Sequence, residues 1–495
     1  MVRRYLAALS FANLLYLPVW ARLIAITRAA EFRMRDTPLR SEYAAAVCGV
    51  VLLAAVLLGA NAMFERAPNP VRSLEIPLGI LLLAVSLQNL ATGDTRLALL
   101  HFGGTHFMAC MAVALVSLVL VGIFHRLVRP AVVWGLVTLS PFCAIAFGMS
   151  AYRAATRMGL PTPPLAPRLS SSSQTRVVWI IFDEWDQRLS FDGRSQSLQL
   201  PALDRLKSES FSASNALPPE SQTLLSMPSL ITGRVTHRVT EIDSQNMILN
   251  FDGGGKQRFG DAPNLFSEAR RMGLNSAVFG WYLPYCRVLA PYISDCWWQD
   301  FSAPSFVASA TFGEALVKQP RSLLETLFYS PFGQSLTLQK HTRTYLDTLE
   351  HAKCAVTDGG IQLALLHFNV PHPPYVYERA THGFTRSNTE TGYEAALALV
   401  NRTVADLRET MERAGTWNSV ILLFSADHFF RVSPLVNGVR DRRVPYLIHF
   451  PGQSQGVSYS SSFNTIVTRD LILAMFRSEV SDSEGVVRWL DQHRQ

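Results

Sequence analysis

Charged residues are scarce in this chain of 495 residues, and its cysteines lack metal-binding spacings. Charged residues make up 17% and hydrophobic residues 48%, a balance typical of membrane proteins. The six cysteines include no CxxC pair and no zinc-finger spacing, which excludes the common structural zinc modules. The net charge of +7 comes without a dense basic block, because arginines are spread along the whole chain. This distribution argues against nucleic-acid binding.

The first 160 residues carry the long apolar runs. Four runs are about as long as a bilayer-spanning helix needs to be: residues 43–64, 74–92, 107–127 and 131–152. A fifth run at residues 5–27 contains Pro18 and Arg22, so it either crosses the bilayer or lies in its interface. No small-residue cleavage site marks it as a cleavable signal peptide. Residues 1–160 are therefore predicted to form a transmembrane helical domain of four to five spans.

The fifth run decides on which side of the membrane the rest of the chain lies. With five spans and a cytoplasmic N-terminus, the C-terminal part is outside. Four arginines are then outside as well, against the positive-inside tendency: Arg28, Arg33, Arg35 and Arg40. With four spans, these arginines and the C-terminal part both stay inside, which the arginine pattern by itself favours. Cys286 and Cys296 form a disulfide if they lie in an oxidising compartment, and two free buried thiols are the alternative.

A Pro- and Ser-rich segment at residues 161–174 predicts an extended linker, and residues 175–495 follow as a soluble domain. In this domain, apolar runs of strand length alternate with helical patterns. The predicted strands cover residues 176–182, 276–281, 361–368, 420–425 and 444–450, and the predicted helices residues 200–209, 263–272, 333–352, 389–414 and 464–476. The alternation predicts an α/β sandwich with a mainly parallel central sheet.

Polar residues follow three of these predicted strands. The pairs are Asp183 with Glu184, His367 with His372, and Asp427 with His428. His367 follows the third predicted strand if that strand ends at Leu366. Ligands gather at the carboxyl ends of strands in such sheets, so these side chains are expected to converge at one edge. Each pair also has a plain explanation as a solvated turn, a helix cap or a surface loop. Their recurrence at successive strand ends favours a divalent metal site.

A hydroxyl opens the helix predicted within the stretch from Ser221 to Gly233. Thr223 lies beside the unpaired N–H groups and the positive dipole end of that helix, where a phosphate would be held. A simple helix cap is the commoner role of such a residue. The neighbouring metal site leads us to predict that Thr223 is a nucleophile.

The soluble domain resembles the alkaline phosphatase superfamily, especially its sulfatase-like branch of membrane-anchored phosphoethanolamine and phosphoglycerol transferases. The resemblance covers residues 175–480 and is carried by the stretches VVWIIFDE, TLLSMPSLITG, LHFNVPHPPY, SVILLFSADH and RRVPYLIHFPG. It implies a sulfatase-like sandwich and one divalent metal ion, with zinc expected first and manganese, magnesium or calcium as alternatives. The implied metal-site residues are Asp183 or the adjacent Glu184, Thr223, Asp427 and His428. His372 and His367 are implied to contact the phosphoryl group or substrate.

The chain departs from the sulfatase pattern at the nucleophile. Sulfatases of this superfamily need Cys or Ser in a C/S-x-P-x-R context for conversion to formylglycine. Here Thr223 is followed by Leu-Leu-Ser, with no Arg at the matching place, which disfavours sulfate-ester hydrolysis. Residues 429–443 contain no His, which argues against a second metal site, and Phe429 replaces the usual Gly after Asp-His.

These expectations combine into a membrane-bound, metal-dependent phosphotransferase. It would move a phospholipid headgroup phosphoryl moiety to an envelope glycan or lipid through phospho-Thr223. One alternative is a phosphodiesterase, phosphatase or sulfuric-ester hydrolase with the same site, and another is a non-catalytic membrane interaction module. Donors and acceptors of such relatives lie on the outer side. The resemblance therefore favours five spans in a bacterial-type inner membrane, with a periplasmic or extracellular catalytic domain.

Overall fold

The computed structural model describes ten segments of the chain: residues 2–24, 40–88, 115–156, 163–170, 175–241, 246–300, 311–324, 336–385, 392–434 and 438–493. The chain forms two compact units. The helical unit comprises residues 1–27, 36–159 and 303–333, and the sheet unit comprises residues 28–35, 160–302 and 334–495. Residues 303–333, which lie within the domain predicted at 175–495, thus group with the helical unit.

The helical unit begins with eight helices in the described residues. They are α1 (Val2–Leu15), α2 (Leu17–Leu23), α3 (Arg40–Arg66), α4 (Asn69–Arg72), α5 (Glu75–Gln88), α6 (115–123), α7 (His125–Thr138) and α8 (Ser140–Thr156). Within the described residues, three helices are long and apolar enough to cross a membrane: Arg40–Arg66, Asn69–Leu87 and His125–Thr156. A fourth candidate results if α1 and α2, bent by 61°, count as one span. Of the span predicted at 107–127, residues 107–114 lie outside the described residues.

The remaining helices follow in chain order. They are α9 (Pro201–Ser208), α10 (Thr223–Thr232), α11 (Leu265–Arg271), α12 (Tyr285–Val288), α13 (Phe312–Leu324), α14 (Leu336–Thr357), α15 (Tyr393–Ala414), α16 (Thr468–Phe476) and α17 (Ser483–His493). All belong to the sheet unit except α13. The five helices predicted from the sequence in this unit correspond to α9, α11, α14, α15 and α16.

Helix α13 packs inside the helical unit. The side chain of Gln319 donates a hydrogen bond to the backbone carbonyl of Glu42 at 3.0 Å. Leu323 is buried in the same apolar cluster as Tyr16 and Trp20. One face of α13 is therefore covered by the helical unit, which is why a segment that follows β-strands in the sequence belongs to that unit.

The sheet unit contains fourteen strands in the described residues. They are β1 (Val177–Asp183), β2 (Phe211–Leu217), β3 (Thr236–Glu241), β4 (Met247–Phe251), β5 (Lys256–Arg258), β6 (Ser276–Tyr282), β7 (Asp295–Asp300), β8 (Leu363–Pro371), β9 (Tyr377–Glu378), β10 (Gly383–Phe384), β11 (Ile421–Ala426), β12 (Val444–His449), β13 (Val457–Tyr459) and β14 (Phe463–Asn464). A disulfide joins Cys286 in α12 to Cys296 in β7.

Nine strands form the main sheet, in the order β13, β2, β12, β11, β1, β8, β6, β7, with β14 paired to β2. The block from β11 to β7 is entirely parallel. Only β12 runs antiparallel to its neighbours. The prediction of an α/β fold with a mainly parallel sheet is confirmed.

Strand β1 shows why the centre of this sheet is parallel. Every residue from Val177 to Asp183 is buried, so both faces of the strand are covered. A continuous apolar run suits this environment, whereas a strand with one wet face would alternate polar and apolar residues. Arg176, just before the strand, ties it in place by donating to backbone carbonyls, among them that of Asp358 at 2.8 Å.

One predicted strand boundary was wrong. Strand β8 runs to Pro371, so His367 lies within it, opposite Ile181 of β1, and not beyond its end. The apolar residues after His367 continue the buried run, and a single buried imidazole does not interrupt a strand whose backbone hydrogen bonds are all made by its neighbours.

Candidate metal centre

Two strand ends and one helix start meet at the carboxyl edge of the sheet. Asp183 is the last residue of β1, Asp427 and His428 directly follow β11, and Thr223 is the first residue of α10. All four side chains are buried. Because β1 and β11 are adjacent and parallel, their carboxyl ends leave the sheet at the same level.

The polar atoms of these four residues surround one point. Thr223 Oγ1 lies 3.2 Å from His428 Nε2 and 3.4 Å from Asp183 Oδ2. His428 Nε2 in turn lies 3.5 Å from both Asp183 Oδ1 and Asp427 Oδ2. Ligand atoms of Asp183, Asp427 and His428 all lie within 4.8 Å of one another. Two carboxylates and an imidazole at this spacing suit a single divalent cation.

Hydrogen bonds on the outer side of these residues leave their inner atoms for a cation. His428 Nδ1 donates to the carbonyl of Phe429 at 3.0 Å, so Nε2 carries the lone pair. Asp427 Oδ1 accepts the backbone N–H groups of His428 at 2.8 Å and Glu184 at 3.3 Å. Asp183 Oδ1 and Asp427 Oδ2 are buried without a hydrogen-bond partner among the described residues. Orphaned buried carboxylate oxygens are costly, and a divalent cation fits them.

The electrostatics of the two carboxylates indicate the same fit. Burial, together with the charges of Asp427 and Glu184, raises the pKa of Asp183 well above its usual range. Burial also opposes the charge of Asp427, but the imidazoles of His428 and His367, in their protonated forms, hold the pKa of Asp427 below its usual value. Of two neighbouring carboxyl groups, one ionises readily and the other resists, because like charges repel. A cation between them would remove that repulsion.

The first turn of α10 is fixed against the end of β11. Gln222, the residue before the helix, has an extended backbone and makes no side-chain cap. Thr223 is the first residue inside the helix and therefore not its N-cap. Its hydroxyl contacts Asp183 and His428. Ser226 Oγ donates to the carbonyl of Asp427 at 2.5 Å, which ties this turn to the strand end. The helix stops at Gly233, whose φ of 68° is the left-handed conformation that glycine adopts most easily.

Glu184 lies beside the cluster with its carboxylate turned to an arginine. Its φ of 63° is uncommon for a residue with a side chain. Its carbonyl accepts the hydroxyl of Tyr393 at 2.7 Å, and its Oε1 accepts Arg431 Nε at 2.8 Å. The three-ligand group contains Asp183 and not Glu184. Of the two adjacent acids, the structure therefore brings Asp183 to the cluster.

The two predicted substrate histidines are held near an aromatic side chain. The ring of Trp281 lies 6.4 Å from that of His367 and 5.3 Å from that of His372, centroid to centroid. His367 Nδ1 lies 2.8 Å from the hydroxyl of Tyr285, and its Nε2 is buried without a partner among the described residues. His372 Nδ1 donates to the carbonyl of Pro373 at 2.6 Å. Burial lowers the pKa of His367 to about 4 and also lowers the pKa of His372, so both imidazoles are neutral at neutral pH.

Two polar residues of this site, Arg431 and Tyr285, are not among those predicted from the sequence. The pKa of Arg431 is raised, although burial opposes its charge, because Glu184, Asp183 and Asp427 all act on it. Its side chain is 44% exposed, so the guanidinium connects the buried acids with the solvent. A cation three residues after the Asp-His pair is a signal that was present in the sequence. For Tyr285 no such signal exists, because only the fold brings it to His367.

The comparisons with known proteins agree with this arrangement at the level of the family. The Sulfatase family model matches residues 175–470, more than half of the chain, so the chain belongs to the sulfatase family. No curated protein sequence matches it.

Three solved structures illustrate how distant its structural relatives are. A protein of the alkaline phosphatase superfamily from Vibrio parahaemolyticus is 14% identical, with 64% of this chain and 70% of that chain covered and a TM-score of 0.39. The phosphonate monoester hydrolase of Agrobacterium radiobacter is 13% identical, with 61% and 73% covered and a TM-score of 0.38. The PsFucS1 sulfatase from Pseudoalteromonas sp. is 13% identical, with 64% and 74% covered and a TM-score of 0.42.

Proposed function

We propose that this protein is a membrane-anchored, metal-dependent phosphotransferase that uses Thr223 as its nucleophile. The observation that carries the proposal is the position of Thr223 Oγ1, within 3.4 Å of Asp183 and His428 at the start of a helix. Membership of the sulfatase family supports ester chemistry at a phosphoryl or sulfuryl centre. Phosphate is favoured because Thr223 stands where the formylglycine precursor of a sulfatase would be Cys or Ser.

Asp183, Asp427 and His428 would hold the metal, with zinc expected first and Thr223 at its edge. Their buried inner oxygens and the lone pair of His428 Nε2 are the observations that support this assignment. A divalent ion bound there would lower the pKa of the Thr223 hydroxyl and neutralise negative charge that develops on the phosphate.

The reaction divides into two displacements at the same phosphorus. In the first, Thr223 Oγ1 forms a bond to phosphorus, the bond from phosphorus to the glycerol oxygen breaks, and the diacylglycerol leaves with the proton that Thr223 loses. In the second, a hydroxyl of the acceptor attacks phosphorus, the bond to Oγ1 breaks, and Thr223 recovers a proton. The N–H groups at the start of α10 would stabilise the charged transition state of both steps.

The remaining polar residues are suited to hold the substrate. His372 Nδ1 donates to the backbone, which leaves Nε2 able to accept a proton from the attacking acceptor hydroxyl. His367 and the guanidinium of Arg431 would contact the phosphoryl oxygens, Arg431 through the nitrogens that do not bind Glu184.

The proposed donor is a phospholipid, and the proposed acceptor is a glycan or lipid of the cell envelope. A site tethered to membrane helices meets an amphiphilic donor at high local concentration. A site for a soluble metabolite would not need such a tether. A hydrolase with the same residues would use water in the second displacement.

We further propose five spans, with the sheet unit outside a bacterial-type inner membrane. The bonds of Arg4 and Arg129 to Glu65, and of Arg129 to Glu75, support this orientation, because they gather arginines at one end of the helical unit. That end would be cytoplasmic by the positive-inside tendency. The Cys286–Cys296 disulfide fits an oxidising compartment for the sheet unit.

The deciding experiment follows the phosphoryl group. The full-length protein is incubated with a phospholipid labelled in its headgroup, and the label is traced to Thr223 by peptide mass spectrometry, then to an added acceptor or to water. We expect the label on Thr223, and a Thr223→Ala variant should lose roughly 10³-fold or more of the turnover. Ser221→Ala, which removes a hydroxyl just before α10, is the matched control and should behave as wild type. Unchanged turnover in Thr223→Ala would exclude the nucleophile assignment, and label released only to water would identify a hydrolase.

The orientation has its own test. A reporter enzyme that is active only outside the cytoplasm, fused after Gln495, should be active. Activity of a cytoplasm-specific reporter at the same position would overturn both the five-span arrangement and the envelope substrates.

A further inference from the structure

A basic cavity lies in the helical unit and is separate from the metal centre. Its volume is about 270 Å³. Its main lining residues are Arg3, Arg72, His125, Arg126, Arg129 and Trp134. They come from three places in the chain: the start of α1, the end of α4 and the start of α7. Residues more than fifty positions apart thus build one pocket of four guanidinium groups, an imidazole and an indole.

The acids at this end neutralise only part of the positive charge. Arg129 donates to Glu65 at 2.7 Å and to Glu75 at 3.1 Å, and Glu65 also pairs with Arg4 at 2.8 Å. Asn61 Oδ1 accepts a further bond from Arg129 at 2.9 Å. Arg129 is therefore a fixed part of the pocket wall, held by the ends of α3 and α5.

The other three arginines, Arg3, Arg72 and Arg126, form no direct ion pair with a carboxylate of the described residues. The charge of Arg72 nevertheless also acts on Glu65. Arg126 has a neutral partner, Asn69 Oδ1 at 3.3 Å, and Arg3 lies 5.4 Å above the ring of Trp134. Guanidinium groups without a carboxylate partner are the preferred binders of phosphate.

The wall of the pocket is amphiphilic. Pro130, Val133 and the indole of Trp134 line it together with the arginines. Tryptophan is favoured where an apolar surface meets a polar headgroup layer. An occupant with both a phosphate and an apolar body therefore fits this pocket better than a free ion does.

The pocket also lies far from the end of α8. Helices α7 and α8 run for 32 residues from His125 to Thr156, a length of about 48 Å at the usual helical rise. Ser150, near the far end, bonds to the carbonyl of Tyr43 at the start of α3, whereas Glu65 at the end of α3 bonds to Arg129. The basic cavity and the end of α8 are thus at opposite ends of the helical unit.

We propose that this cavity binds the phosphate headgroup of an anionic phospholipid, in the membrane leaflet that contains the start of α1 and the end of α3. The phosphate would be held by Arg72, Arg126 and Arg3, and the acyl chains would follow the Trp134 side. This lipid site does not depend on the reaction proposed for Thr223, and it takes a second lipid that is not consumed.

The test measures lipid retention by the full-length protein. The protein is purified in detergent, and phosphatidylglycerol or phosphatidylcholine is added before native mass spectrometry. We expect wild type to retain phosphatidylglycerol and not phosphatidylcholine. The double variant Arg72→Gln/Arg126→Gln should bind phosphatidylglycerol at least about tenfold more weakly, because two charge-assisted bonds to phosphate are lost. Arg66→Gln, which removes an exposed arginine at the same end that does not line the cavity, should retain it as wild type does.

A second arm separates the lipid from its phosphate. Inorganic phosphate, added in place of lipid, should bind at least about tenfold more weakly than phosphatidylglycerol, since it lacks the apolar contacts. Thermal unfolding in detergent establishes that the double variant is folded, and a singly substituted Arg72→Gln protein replaces it if it is not. Equal retention by wild type and variant, equal retention of the two lipids, or equal binding of inorganic phosphate and lipid would each overturn the proposal.

Discussion

The two units each contain a cluster of like charge, and the clusters differ in how that charge is compensated. In the metal centre, Asp183 and Asp427 are fully buried and each has a carboxylate oxygen without a partner among the described residues. At the basic end of the helical unit, Arg129 is matched by Glu65 and Glu75. In the first cluster the nearby guanidinium of Arg431 binds Glu184 and leaves these two carboxylate oxygens unpaired among the described residues. The second cluster supplies part of its own counter-charge. We therefore expect the loss of a bound counter-ion to destabilise the sheet unit far more than the helical unit.

The largest expected effect comes from removing one acid of the metal centre. Asp427→Ala should weaken metal affinity by at least about 100-fold, because it removes a side chain proposed to bind the metal directly. Loss of a residue that only hydrogen-bonds to such a side chain usually has a smaller effect. Metal content is measured by elemental analysis after dialysis. Asp252→Asn, an exposed acid of the sheet unit, is the control. An Asp427→Ala protein with full metal content would show that the two carboxylates are not a metal site.

The next effect is on pH dependence in the absence of metal. The pKa of Asp183 is raised above its unfolded value of 3.8, so the folded state binds its proton more tightly. The stability of the metal-free protein should therefore fall as pH rises above 3.8, by up to ~1.4 kcal/mol per pH unit until the raised pKa is passed. Thermal unfolding in detergent with a chelator measures this slope.

Asp183→Asn should flatten that slope, because an amide does not titrate. If the stability of Asp183→Asn fell with pH as steeply as that of wild type, the slope would come from other groups. Repulsion between the two buried carboxylates would then not explain it.

A smaller effect is expected from Arg431, which links the buried acids to the solvent. Arg431→Gln should lower kcat/KM by about tenfold to 100-fold if its guanidinium contacts the phosphoryl oxygens. Metal content should not change, because Arg431 binds Glu184 and not the three ligands. Arg442→Gln, an exposed arginine nearby in the sequence, serves as the control. Equal losses of metal and activity in Arg431→Gln would mean that this arginine only supports the metal centre.

The smallest effect should come from the hydrogen bond between Tyr285 and His367. Tyr285→Phe removes one neutral hydrogen bond of 2.8 Å, worth about 1 kcal/mol, or about fivefold in KM. The comparison of KM with kcat in steady-state kinetics tests this, since His367 is proposed to bind the phosphoryl group. A fall in kcat alone, with KM unchanged, would instead make His367 a participant in the chemical step.

Much of the sheet unit was predictable because its signals are local. The buried run of β1 and the acid that ends it lie in one stretch of seven residues, and β11 with the Asp427–His428 pair lies in one of eight. Parallel strands bring their carboxyl ends to one edge by topology alone. For this reason the sequence predicts that Asp183 or Glu184, Asp427, His428 and Thr223 lie together.

Other parts of the site could not be predicted from the sequence, because they depend on the direction in which each side chain points in the folded protein. The left-handed backbone at Glu184 accompanies a carboxylate turned to Arg431, and the sequence does not distinguish this acid from its neighbour Asp183. His367 was placed after a strand that in fact continues through it. Tyr285 meets His367 across 82 positions of sequence, a separation that no local pattern encodes.

The class of fold, the apolar helical unit and the residue types of the candidate metal site follow from the sequence, because hydrophobic periodicity and strand-end chemistry depend on neighbouring residues. The folded structure is needed to show which of two adjacent acids faces the cluster. It also decided that α13 belongs to the helical unit, and that arginines scattered from position 3 to 129 share one cavity. Charge is a property of a residue, whereas a binding site is a property of distances, and distances between remote residues exist only once the chain has folded.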